Sequence, residues 1–183
     1  MTMALWHKHG PFTVFDIETT GMSPVRDRIV EIGAVRVEVD GSYSRFETLV
    51  NPAVAIPYAV SRVHGITDEM VKDAPKFTEA GYAFQEFIRG SRLVAHNARF
   101  DLSFMQESFA RVGLPLLKNG AYDSIVLIKK AYPGLPSYSL PALVQAWGLG
   151  ANIDTARPHR AGYDAEVTME AFGMAMRKLI DLA

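Results

Sequence analysis

Apolar residues fall in short runs and alternations as far as Val50, and beyond that point recur mostly at helical spacing. Phe12–Glu18 reads as a strand that ends in carboxylates. Arg28–Val39 (RIVEIGAVRVEV) alternates and is rich in Val and Ile, which suits a long strand. Asp40-Gly41 supplies hairpin-turn chemistry, and Tyr43–Val50 reads as the return strand. These three segments predict an antiparallel meander.

A Pro-containing stretch from Asn51 to Pro57 leads to short helical pieces around Ala59–Val63 and Asp68–Val71. From Lys76 to Ile88 the positions Phe77, Ala80, Phe84, Phe87 and Ile88 recur with helical period. Arg92–Ala95 reads as a short buried strand, followed by a helix from about Ala98 to Val112. A weak strand at Ala121–Asp123 runs into a helix that holds Ile125, Leu127 and Ile128. Ser139–Trp147 is a further helix, with Ser139 as its cap and Pro141 tolerated in its first turn. The last helix, Gly162 to about Leu182, carries Val167, Phe172, Met176, Leu179 and Ile180. Strands first and helix–strand alternation afterwards predict an α/β fold, a mixed sheet flanked by helices. With no internal repeat or linker, the expected organisation is a short N-terminal tail (1–11) and one domain (12–183).

Composition adds limits. The chain has 183 residues, 49% of them hydrophobic and 21% charged, which is ample for one packed core. A net charge of −1 offers no global attraction to a polyanion, so any nucleic acid must be held locally. Cysteine is absent, which excludes disulfides, thiolate zinc sites and cysteine nucleophiles. No apolar run has the length of a signal peptide or a membrane span, so a cytoplasmic protein without membrane contact is expected.

The candidate chemistry lies in three separated runs. In FDIETTG, Asp16 and Glu18 are two apart on a strand and so point to one side, with Ile17 turned into the core. Thr19, Thr20 and Gly21 leave the strand, and their hydroxyls and backbone N–H groups suit a terminal sugar or phosphate; Gly21 permits close approach or positive φ. Alone, such a D-x-E is more often a solvated strand end. In HNARFD, Asn97 is expected to cap the helix and Asp101 lies one turn in, where it would also complement the helix dipole. Phe104 reads as core, Phe100 as either core or a platform for a base or sugar, and His96 as a hydrogen-bonded structural histidine. In HRAGYDA, five residues of continuous helix would turn His159 and Asp164 about 140° apart. A shared site therefore needs His159 on a loop and Asp164 in the first helical turn, which Arg157-Pro158 and Gly162 favour. The plainer alternative is an exposed loop histidine beside a capping aspartate.

Four carboxylates brought together repel one another and raise a pKa unless a cation intervenes. Hard oxygen ligands select Mg²⁺ or Mn²⁺. A pair of such ions can activate water for in-line displacement at phosphorus, and a histidine with a pKa of about 6.5 can take that water's proton.

FDIETTG, HNARFD and HRAGYDA, in this order, resemble the DEDD superfamily of 3′–5′ exonucleases. The histidine five residues before the last aspartate is similar to the DEDDh, or DnaQ-like, branch, which includes the proofreading epsilon subunit of bacterial DNA polymerase III, ribonuclease T and oligoribonuclease. The resemblance runs from Phe12 to Phe172. It implies a ribonuclease H-like fold with a mixed five-stranded sheet whose first three strands are antiparallel. It also implies that Asp16, Glu18 and Asp164 hold one divalent ion, that Asp16 bridges to a second which Asp101 helps to hold, and that His159 is the general base. Val63–Thr67 (VHGIT) is similar to a family stretch near the terminal nucleotides, so His64 is either a base contact or part of a helix-connecting turn. Many relatives carry an apolar residue where Gly162 stands, and glycine there is expected to loosen the loop of His159.

The leading expectation is a 3′–5′ exonuclease acting on single-stranded or frayed DNA 3′ ends in replication or repair, releasing 5′-monophosphates. Arg99, Lys129, Lys130, Arg157 and Arg160 are candidate phosphate contacts, though each also suits a solvated surface. RNA stays open as a substrate, because nothing in the sequence detects a 2′-hydroxyl. A non-catalytic module binding nucleic acid or a polymerase, and a phosphodiesterase for very short oligonucleotides, are the alternatives. A DNA polymerase subunit is an expected partner class, and the oligomeric state is open. The chain ends soon after its final helix, which leans toward a stand-alone exonuclease or an excised domain.

Overall fold

The computed structural model describes residues 5–151, 153 and 159–181. Thus Arg157 and Pro158, and the expected helix end at Leu182, lie outside the described residues. A short 3-10 helix, Leu5–His9, occupies part of the segment read as a tail, and His7 Nδ1 is 2.9 Å from the Val39 carbonyl oxygen.

The sheet is built from β1 (Phe12–Thr19), β2 (Ile29–Val37), β3 (Tyr43–Leu49), β4 (Arg92–Ala95) and β5 (Ala121–Asp123), in the order β3-β2-β1-β4-β5. β1 pairs antiparallel with β2, and β2 with β3, which is the expected meander. β4 runs parallel to β1, and β5 parallel to β4. The hairpin turn between β2 and β3 forms as its residues dictate: Gly41 has φ 87°, and the Asp40 carboxylate accepts the Ser42 N–H at 2.8 Å.

The helices are α1 (Tyr58–His64), α2 (Asp68–Val71), α3 (Phe77–Phe87), α4 (Ala98–Arg111), α5 (Ser124–Ala131), α6 (Leu140–Trp147) and α7 (Ala161–Asp181). Strand alternation divides the core between the two faces of the sheet. Phe15 and Ile17 of β1 face α3 and α4, where Phe84, Phe104, Met105 and Phe109 are fully buried. Burial of each such side chain stabilises by roughly 1.5–3 kcal/mol. Phe12 and Val14 face the other way, against Val94 and Phe172 of α7. Asp16 and Glu18 follow on that same face, and they are the two positions of β1 that are not buried. The apolar half of the strand thus anchors α7, and the acidic half stands beside the start of that helix.

Two expected caps are realised differently. Asn97 takes the N-cap position of α4 in the left-handed region (φ 68°, ψ 53°) and makes no side-chain cap bond. Asp123 serves instead, its Oδ2 accepting the Ala98 N–H at 3.1 Å while its Oδ1 accepts the Ile125 N–H at 2.9 Å. One carboxylate therefore caps both α4 and α5. Ser139 stands at the N-cap of α6 without a side-chain cap bond, and Pro141 lies in the first turn as expected.

Candidate active site

Asp16 and Glu18 from β1 meet Asp164 from the first turn of α7, with one carboxylate oxygen of each lying within 4.8 Å of the others. This needs both elements: the strand period aims the first two the same way, and the close approach of α7 to β2 brings the third. That approach depends on Gly33, the antiparallel partner of Asp16, because a Cβ there would lie 2.2 Å from the Ala161 carbonyl carbon. The register shift after Glu18, where Thr19 pairs with Ile29, ends the regular ladder beside the acids.

Asp101 is buried at the N-terminal turn of α4, beside Asp16 but outside the tight triple. Its neighbourhood shows in the electrostatics. Burial, then the charges of Asp101, Asp164, Glu18 and Glu31, raise the Asp16 carboxyl well above the usual carboxylate range. Asp101 is likewise raised by burial, against the pull of its own and the Ile17 backbone N–H groups. Burial and the charges of Asp164, Glu31 and Asp101 push Glu18 up to about 8, with Arg160 opposing. Burial raises Asp164 to about 6, while the imidazole and backbone of His159 hold it lower. These raised values mark a deficit of positive charge among crowded, partly desolvated hard oxygen donors, so the residues present fit a divalent cation.

His159 is exposed, lies just before α7, and has φ 62°, uncommon for a non-glycine residue. It lines a cavity of about 270 Å³ together with Asp16, Asp164, Tyr163, His96, Leu140, Pro141 and Val144. Loop histidine and first-turn aspartate are thus arranged as their spacing requires, although α7 begins one residue earlier, at Ala161. Gly162 is buried in that first turn. A Cβ on it would lie 2.0 Å from Oε1 of the flexible Glu47 side chain, so the glycine sits inside the helix start, against Glu47, and not on the loop of His159.

The other candidates divide. His96 is structural: Tyr138 O, an obligate acceptor 2.9 Å away, requires hydrogen on Nε2, which leaves Nδ1 to accept from Ser124 Oγ at 2.9 Å. Burial lowers its pKa. Thr19 Oγ1 donates to the Gly21 carbonyl at 2.6 Å, and Thr20 Oγ1 accepts the Arg28 N–H at 3.0 Å. Both hydroxyls thus brace the loop that leaves β1. Gly21 is explained by close approach, since a Cβ would lie 2.5 Å from Asp27 Oδ2. Phe100 packs against Phe104, with ring centroids 4.9 Å apart, at the half-buried edge of the core.

His64 ends α1 and is buried; its Nδ1 accepts the Ile66 N–H at 3.0 Å, while Nε2 has no hydrogen-bond partner among the described residues. Burial lowers its pKa, against the backbone of Thr19 and the charge of Glu31. Arg160 is not a free phosphate contact, because its guanidinium is bound to Glu31. Lys129 Nζ lies 5.3 Å from the centre of the Tyr138 ring, and Arg99 and Lys130 are exposed. Glu31 and Asp123 escape a sequence reading, although a single carboxylate in the otherwise apolar run IVEIGAV was a visible signal for the first.

The exonuclease family model matches residues 13–172. DNA polymerase III subunit epsilon of Treponema pallidum is 40% identical over 166 residues, which cover 91% of this chain and 76% of that protein. The PolC-type DNA polymerase III of Caldanaerobacter subterraneus subsp. tengcongensis is 39% identical over 173 residues, 94% of this chain but only 12% of that protein. Among solved structures, exonuclease X in complex with 5′ overhanging duplex DNA superposes with a TM-score of 0.71 at 27% identity, covering 94% of this chain and 92% of that one. Escherichia coli exonuclease I in complex with a dA16 oligonucleotide shares the fold, with a TM-score of 0.70 at 18% identity over 88% of this chain and 40% of that one. With its mixed five-stranded sheet, its acidic triple and a match across nearly all of its length, this chain belongs to the DnaQ-like 3′–5′ exonuclease family.

Proposed function

We propose that the chain removes nucleotides from the 3′ end of single-stranded or frayed DNA as nucleoside 5′-monophosphates, with Asp16, Glu18, Asp101 and Asp164 holding divalent ions, Mg²⁺ or Mn²⁺, and His159 as general base. The observation that carries this reading is the convergence of three carboxylates from two distant runs of sequence beside an exposed histidine at an open cavity. When bound, such ions supply charge neutralisation at phosphorus and a more acidic water.

The protein's own groups account for the rest. Asp16 and Glu18, set on a strand, and Asp164, set on a helix, form a rigid acidic wall that would repel a phosphodiester without cations. His159 would accept a proton from a water on that wall, a role supported by its exposure and its place in the cavity lining. The apolar side of the cavity, Leu140, Pro141 and Val144, suits a sugar or base rather than a second phosphate. The choice of DNA is supported by the relatives, which are named as DNA polymerase III proteins or as an exonuclease bound to DNA. Association with a replicative polymerase is part of the same proposal and rests on those names.

The test is a degradation assay on matched 3′-labelled single-stranded DNA, duplex DNA and RNA, each with Mg²⁺, Mn²⁺ or chelator. Mononucleotide release from single-stranded DNA that requires metal is the expected result. Faster loss of RNA would reassign the substrate, and no release under any condition would favour a non-catalytic binding module.

A further inference from the structure

Glu31 is a charged residue in the middle of the sheet. It is the antiparallel partner of Glu18 and faces the same side, yet it does not join the acidic triple. Its side chain is 5% exposed, and both oxygens are already engaged. Oε1 accepts from Arg160 Nε at 2.9 Å and from Nη2 of the same guanidinium. Oε2 accepts from Arg160 Nε at 3.0 Å and from the backbone N–H of Ala161 at 2.9 Å. This last bond caps the first residue of α7 with a carboxylate from another element.

Arg160 is the residue between the exposed histidine and the helix. Its side chain is held by Glu31, and its backbone carbonyl accepts the N–H of Asp164 at 3.0 Å. A connected path therefore runs from β2 through Arg160 to the aspartate of the acidic triple. It also ends one residue from His159, whose φ of 62° is uncommon for a non-glycine residue, though better tolerated by histidine than by most. Glu47, also aimed at this face from β3, fills the space left by Gly162 on the other side of the helix start.

We propose that Glu31 is a positioning residue, whose buried carboxylate grips Arg160 and the first N–H of α7 and so sets where His159 and Asp164 stand. The inference rests on the functional reading above and adds the device that sets its geometry. The fork matters as well as the charge, because only a guanidinium meets a carboxylate with parallel donors.

The experiment uses the full chain carrying Glu31→Gln, Arg160→Ala, Arg160→Lys, and Glu31→Gln with Arg160→Ala. Turnover of single-stranded DNA is expected to fall about 10–100-fold in the first two, with KM within about twofold. Arg160→Lys should not restore it, and the double variant should cost no more than the worse single one. Independently of activity, amide hydrogen exchange at 161–164 should quicken about tenfold in Glu31→Gln while the amides of β1 stay protected as in the wild type. Should Glu31→Gln fail to fold, Arg160→Ala probes the same clamp from its more exposed partner. Turnover within twofold of wild type in both singles, a loss confined to KM, or unchanged exchange at 161–164 would each overturn the proposal. A wild-type chain that degrades nothing would sink the functional reading alone, leaving exchange to judge the clamp.

Discussion

His159 differs from the residues around it in being both exposed and in the left-handed region, while the carboxylates of the triple are half-buried and set on regular elements. A base that meets its substrate from a loop and ligands fixed on regular elements make separable contributions. Replacing His159 with Ala should therefore cut turnover about 10²–10⁴-fold while Mn²⁺ affinity, measured by calorimetry, stays near wild type. Turnover that survives would remove the histidine from the chemistry. Asp164→Asn keeps the shape but removes a charge from the triple, so both metal affinity and cleavage should fall together. An unaltered metal titration in that variant would contradict the ligand assignment. His64 is buried and His96 half-buried, and the loss of solvent lowers the pKa of each, which suits neutral imidazoles.

At the scale of elements, the decisive contact is α7 lying on β1 and β2. Gly33 lets the helix start touch the sheet, and a Cβ there would meet backbone, which cannot swing aside as a side-chain end can. Gly33→Ala is expected to destabilise by about 1–3 kcal/mol through overpacking and to lower turnover as well, because the helix that moves carries Asp164. Denaturant melts read beside the nuclease assay would check it; a variant with unchanged stability and activity would show that the helix start has room to move. Much of this layer was legible in advance. The alternation of β2, the hairpin at Asp40-Gly41 and the helical periods of α3 and α7 are local patterns, and the expected bounds agree with the structure to within a few residues. Strand parity paired Asp16 with Glu18, whereas their meeting with Asp164 was an expectation from the resemblance of the three runs to a known family. The clamp was not legible, since Glu31 and Arg160 are 129 residues apart and their pairing depends on register between elements. Asn97 misled for a related reason: its type suits a cap, but its left-handed backbone leaves that work to Asp123.

For the molecule as a whole, the net charge of −1 conceals an uneven distribution in which acids buried in one place carry protons in the absence of cations. That has a consequence for stability. Glu18 is raised to about 8 and Asp164 to about 6, so near neutral pH the folded chain binds protons that the unfolded chain, with ordinary carboxylates, has released. Stability then falls as pH rises, with the loss complete once pH exceeds the folded pKa values. Two histidines act in the opposite sense: His64 and His96 are lowered, so below about pH 6.5 the unfolded chain takes up protons that the folded chain refuses. Between about pH 4.5 and 6.5 the two effects oppose one another, and above that range the carboxylates act alone, so chelator-treated protein should lose stability toward pH 8 and above. Saturating Mg²⁺ or Mn²⁺ should flatten the alkaline arm, since a cation replaces the protons and binds only the folded arrangement. The histidine contribution, from His64 and His96, neither of which belongs to the triple, should respond far less. Thermal melts from pH 5 to pH 9, with chelator or metal, separate the two contributions. An alkaline decline that metal leaves untouched would mean that these carboxylates do not hold cations, whatever their proximity.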